Sequence, residues 1–199
     1  MRRDYLKKIS YLFLTLVLIG VLTGCSQYKF KETMEIQVED FTHTDQHYEE
    51  IGLNDLKGKP WLAMFIFTNC ATVCPPMTYN MTEVQIALED EGVEDYSIVA
   101  FSVDPKTDTP EILEKYLTRY EIKDETKWHL LTGYDQTYIE QFAKKSFNSY
   151  VKGTPDSDQV THMSSFYLVN AAGTTVKSYN GNIEVPIDTI VQDLKALTE

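Results

Sequence analysis

"WLAMFIFTNCATVCPPMTYNM", residues 61–81, is the stretch on which the fold turns. Trp61 to Phe67 is an unbroken apolar run of strand length, as expected of a strand covered on both faces. Pro75 and Pro76 then open a segment that reads as a helix ending at Gly92, because proline is tolerated in a first helical turn and glycine suits a C-terminal cap. Cys70 and Cys74 stand four positions apart in the connecting loop, at the carboxyl end of the strand, where open α/β sheets bind ligands. Pro75 biases Cys74 away from helical geometry. Backbone amides and the dipole at a helix start favour thiolate over thiol, which either redox exchange or metal binding requires. The spacing alone leaves three readings open: a redox couple, two legs of a metal site, or two buried structural cysteines.

Outward from this unit the same patterns repeat. "IQVEDFT" and "HYEEIGL" flank an Asp-Gln turn and read as an N-terminal hairpin. "YSIVAFSV" (Tyr96–Val103) is a second buried strand, and "DTPEILEKYLTRY" is a helix with a capping-box start at Asp108. "WHLLTG" is a short third strand, followed by a helix capped by Asp135. The polar segment from Asn148 to His162 reads as a mobile loop, expected to become ordered when His162 is tethered to the thiols. "MSSFYLVN" and "TTVKSYN" form an antiparallel hairpin about Gly173, and "VPIDTIVQDLKALT" is a terminal amphipathic helix. This order predicts an α/β, thioredoxin-like fold: a central mixed sheet flanked by helices, with an N-terminal β-hairpin addition.

The N-terminus sets the compartment. Arg2, Arg3, Lys7 and Lys8 precede a short apolar run, Tyr11 to Leu22, which reads as a secretory signal. It closes on "LTGC" (Leu22–Cys25), which resembles the bacterial lipobox and implies lipidation of Cys25. The expected organisation is a signal peptide over 1–24, a tether over 25–35 and one domain over 36–199. The expected location is the outer face of the bacterial cytoplasmic membrane, where cysteine pairs can oxidise. The whole chain carries −12; loss of four cationic residues and Asp4 leaves −15 in the mature part. So acidic a surface repels nucleic acid and anionic head groups, leaving acylation to hold the chain at the membrane.

"FTNCATVCP", "SVDPKTDTPEILEKY" and "THMSSFYLVNAAG" together resemble the hallmark segments of the Sco/SenC family, from about Phe41 to the C-terminal helix. The resemblance implies a thioredoxin-fold, membrane-anchored protein that matures the dinuclear copper centre of cytochrome c oxidase subunit II. It implies copper, as Cu(I) or Cu(II), on two thiolates and one imidazole, carried over to Cys70, Cys74 and His162. Soft Cu(I) accepts trigonal thiolate ligation and imidazole also suits Cu(II), so the residue types agree. Asp104, after the second buried strand, points to the same crevice, and its carboxylate reads either as an outer-shell group or, with Pro105, as the start of a turn. Asp108 reads as a helix cap.

The competing function is a thiol–disulfide oxidoreductase, with Cys70 and Cys74 as a catalytic redox pair that keeps the oxidase copper-site cysteines reduced, itself served by a thiol reductant protein. Against generic exchange, three residues separate the cysteines where thioredoxins have two, and Thr161-His162 occupies the place expected of a proline. A peroxidase is disfavoured because Phe67 stands three residues before Cys70 where a threonine is expected. His43 and His47 lie in the hairpin, where their spacing does not aim both rings at one point. His129 borders a strand, and Met77 and Met81 share a core-facing side of their helix.

Overall fold

The computed structural model describes residues 28–70, 73–154 and 159–198. The signal segment and Cys25 lie outside the described residues. The strands are β1 (Ile36–Gln37), β2 (Thr42–Thr44), β3 (Glu50–Gly52), β4 (Trp61–Ile66), β5 (Ser97–Ser102), β6 (Trp128–Leu131), β7 (Val151–Gly153), β8 (Val160–His162), β9 (Ser165–Val169) and β10 (Thr174–Asn180). The helices are α1 (Leu53–Leu56), α2 (Cys74–Asp90), α3 (Pro110–Leu117), α4 (Gln136–Phe147) and α5 (Ile187–Thr198).

Six strands form the central sheet in the order β1-β10-β9-β4-β5-β6. β4, β5 and β6 are parallel, as crossover helices require, and β9 and β10 add an antiparallel hairpin. Every residue of β4 and β5 is buried, which is why both read as continuous apolar runs. One face carries Trp61, Phe65, Phe101 and Tyr167 under α4, where Phe147 meets Phe65 at 5.5 Å and Tyr167 at 5.2 Å between ring centroids. The other face lies under α5, whose Asp193 reaches Lys177 and Tyr179 of β10, and α2 packs on α5. The chain is thus the expected mixed α/β sheet flanked by helices.

Three local expectations change. The N-terminal hairpin is β2 with β3, while Ile36 and Gln37 leave it to pair with Thr175 and Thr174 on the edge strand β10. Asp108 does not cap α3: Thr109 is the N-cap, its Oγ1 accepting from Ile112 N at 3.4 Å, and Asp108 points inward instead. The segment read as a mobile loop is a second small hairpin, with Val151 opposite His162 and Gly153 opposite Val160. It is pinned to α4, because Glu140 accepts from Gly153 N at 3.0 Å and from Lys152 Nζ at 2.8 Å. That anchor comes from a different element and leaves no mark on the local sequence.

Candidate metal centre

β4 ends at Ile66, and the turn after it delivers Cys70, whose N–H donates to Phe67 O at 3.3 Å. Cys74 is the first residue of α2, with Val73 as N-cap and Pro75 next in the first turn. Proline has no N–H to lose there, so Cys74 is helical despite the bias that Pro75 imposes on it. Its own N–H donates to Cys70 Sγ at 3.4 Å, which ties the two cysteines together through the first free amide of the helix. Both are thiols.

His162 ends β8 and reaches Cys74. Its Nε2 lies 3.3 Å from Cys74 Sγ, and its Nδ1 lies 3.1 Å from Met163 O. A carbonyl oxygen only accepts, so Nδ1 carries the proton and the Nε2 lone pair faces the sulfur. Phe67 meets the ring edge-on at 5.9 Å between centroids, fixing its tilt. The imidazole is therefore preset in the tautomer a metal would use.

Electrostatics here run against the helix-dipole expectation. Cys74 is wholly buried, and burial pushes its thiol well above the usual range, with hydrogen bonding to the Phe67 backbone offsetting only part of this. The negative charge of Asp108 adds to the rise. Desolvation outweighs a partial charge at the helix end because the sulfur has no water to keep its charged form. His162 is shifted the other way: burial lowers its pKa, opposed in part by its bond to Met163. At neutral pH the resting pair is a thiol hydrogen-bonded to a neutral imidazole.

The residue that sequence reasoning missed is Asp108. It is fully buried at the carboxyl edge, where Thr68 Oγ1 donates to Oδ1 at 2.6 Å and Ser102 Oγ donates to Oδ2 at 2.6 Å. Thr68 N donates to both oxygens at 3.3 Å, and Thr132 Oγ1 donates to the Asp108 carbonyl at 2.7 Å. One residue thus gathers the ends of β4, β5 and β6 and fixes the turn that carries Cys70. The available signal was a hydroxyl ending each apolar run, Thr68 and Ser102, both needing an acceptor. Asp104 lies at the same edge, half-buried, where its N–H donates to Ser102 Oγ at 3.1 Å and its carbonyl accepts from Thr107 and Asp108. Asp108→Ala would leave the buried Ser102 hydroxyl and two half-buried donors of Thr68 unpaired and is expected to destabilise the domain by roughly 2–4 kcal/mol, against less than about 1 kcal/mol for Asp104→Ala. Urea unfolding of both variants decides; equal losses would remove Asp108 from this role.

The remaining histidines are apart. His43 sits edge-on to Tyr134 and Tyr138, His47 reaches Glu125 at 3.7 Å, and His129 Nδ1 pairs with Asp45 at 3.3 Å. Met77 and Met81 are fully buried, as their spacing predicts.

Comparison with known proteins follows the same lines. A family model, SCO1/SenC, matches residues 31–199. The SCO1 protein homolog of Bacillus subtilis (strain 168) is 45% identical over 175 residues, 88% of this chain and 90% of its own length. The crystal structure of a SCO1/SenC family lipoprotein from Bacillus anthracis str. Ames superposes with a TM-score of 0.79 at 43% identity, covering 82% of this chain and 96% of that one. Bradyrhizobium japonicum ScoI, solved with copper bound, superposes with a TM-score of 0.67 at 29% identity, covering 81% of this chain and 99% of its own. With nearly the whole described domain matched, the chain belongs to the SCO1/SenC family, the Sco family of cytochrome c oxidase assembly proteins.

Proposed function

We propose that this chain is a membrane-anchored copper carrier for the dinuclear centre of cytochrome c oxidase subunit II, with copper held by Cys70, Cys74 and His162. The observation that carries the reading is the contact of Cys74 Sγ with the unprotonated Nε2 of His162 at 3.3 Å. Metal bonds of about 2.3 Å to sulfur and about 2.0 Å to nitrogen close a triangle on that separation. Two thiols and one imidazole are a soft set with too few members for a closed zinc site. Among the described residues no three donor side chains already form a cage, so loading moves the Cys70 sulfur off the Cys74 amide. Asp104 stands at the same edge as an outer-shell carboxylate that would orient the site rather than bind the metal. The copper-bound relative supports the cargo, and "LTGC" with a relative described as a lipoprotein supports anchoring through Cys25 at the outer face of the membrane.

Thiol–disulfide exchange is the second reading, favoured by the Cys74 N–H to Cys70 Sγ contact that brings the cysteines together. Against it stands the burial of Cys74, whose protonated thiol is a poor attacking nucleophile. The test is titration of the lipid-free domain with Cu(I) and Cu(II), first reduced and then after mild oxidation. The expected result is one copper per reduced chain, with a sulfur-to-copper charge-transfer band for Cu(II). The oxidised chain, lighter by two hydrogens, should take up none. Copper uptake by the fully oxidised chain would refute a site shared by metal and disulfide.

A further inference from the structure

Residues 28–35, on the domain side of the expected tether, do not hang free. Tyr28 Oη donates to Asp193 Oδ1 at 2.6 Å, and the same buried carboxylate takes Tyr179 Oη at 2.8 Å and Lys177 Nζ on its other oxygen. Phe30 packs on the core with Lys177 over its ring, and the amides of Thr33 and Met34 both donate to Val176 O. The chain is therefore fastened to β10 and α5 from Tyr28 onward.

That latch shortens the leash. Ten residues from Cys25 to Glu35 would reach about 35 Å extended, whereas the three steps from Cys25 to Tyr28 reach only about 10–11 Å. The latch also fixes which edge is held. Lys177 is level with Leu168 and, through it, with Leu62 near the start of β4. The five residues from Leu62 to Phe67 carry β4 roughly 16 Å further toward the cysteines, and two strand spacings of about 4.8 Å separate β10 from β4. Tyr179, on the same carboxylate, is level with Phe166 and hence with Met64, so even from there Phe67, just past the end of β4, lies about 14 Å away, beyond the anchor's reach of about 10–11 Å. The two charges nearest the anchor are Lys29 and Lys31, both exposed beside the exposed ring of Tyr28, with Glu32 and Glu35 set further from it, so the acidic balance of the rest of the chain is relieved at this end. Lysine and tyrosine are the side chains that settle at a phospholipid head-group layer.

We propose that the face formed by Tyr28, Lys29, Phe30 and Lys31 against β10 docks on the phospholipid surface, so that the edge bearing Cys70, Cys74 and His162 is held clear of the bilayer. This rests on the reading that Cys25 anchors the chain. The Asp193 latch converts a flexible leash into an oriented mount.

The test uses the full-length chain purified from membranes in nanodiscs of phosphatidylcholine and phosphatidylglycerol doped with a gadolinium-chelating lipid. Amide signals of residues 28–34 and 176–178 should lose several-fold more intensity than those of residues 150–153 and 160–163. Tyr28→Ala, whose own spectrum reports whether it folds, should level the two groups. Equal loss in the parent chain, or a profile that Tyr28→Ala leaves unchanged, overturns the proposal while Cys25 anchoring stands. A chain whose intact mass lacks the acyl group and which leaves the nanodisc overturns the anchoring reading, and the mount with it.

Discussion

Cys74→Ala is expected to abolish stoichiometric copper binding, and Cys70→Ala to do the same, while His162→Ala weakens binding but keeps a sulfur-to-copper band at altered energy. Structural zinc sites of four ligands bind with roughly 10–16 kcal/mol, so one ligand is worth about 2.5–4 kcal/mol, or roughly a 10²–10³-fold loss in affinity. The different outcome for His162 follows from chemistry: the band arises on thiolate sulfur, and imidazole only tunes it. Cys74 sits in the core beside the ring it serves, so its variant also deletes a buried sulfur and is expected to cost about 1 kcal/mol of stability, short of unfolding. Thermal unfolding of each variant without copper separates the two effects. An unchanged band in either cysteine variant would sink the ligand assignment.

The parts of this site differ in how plainly the sequence shows them. The cysteine pair is legible because β4 is buried on both faces and its apolar run ends just short of Cys70. His162 is not legible from local pattern, since a histidine after "DSDQVT" resembles a solvated residue; only the likeness to a family pointed to it. The hairpin that carries it depends on Glu140 from α4, and the departure of Ile36 to β10 depends on a partner about 140 residues away. Such non-local pairing is what single-chain patterns miss. Asp108 misled for a different reason: "DTPE" satisfies a capping box starting at Asp108, and the shift of the cap to Thr109 frees the carboxylate for burial. The thiol charge state was misjudged because a helix start is visible in sequence and the depth of Cys74 is not.

That depth makes copper loading steeply dependent on pH. A metal takes thiolate, so a thiol held protonated must release its proton as copper enters. Burial raises the Cys74 thiol, so it gives up one proton across the neutral range as the metal enters. His162 is lowered by the same burial, so its ring is already neutral and contributes none. Apparent affinity should therefore rise by at least about 10-fold per pH unit between about pH 6.5 and 7.5, the slope for the one proton that Cys74 releases. The sign for the empty domain is opposite. A group whose folded pKa lies above its unfolded one stabilises the fold below the unfolded value, so the contribution of Cys74 is complete at neutral pH and is lost as pH climbs through and beyond about 9. Chelator competition at several pH values reads the slope, and calorimetry in buffers of different ionisation heat counts the protons directly. A slope near zero would mean that the thiolates are preformed, and that the helix start outweighs burial after all.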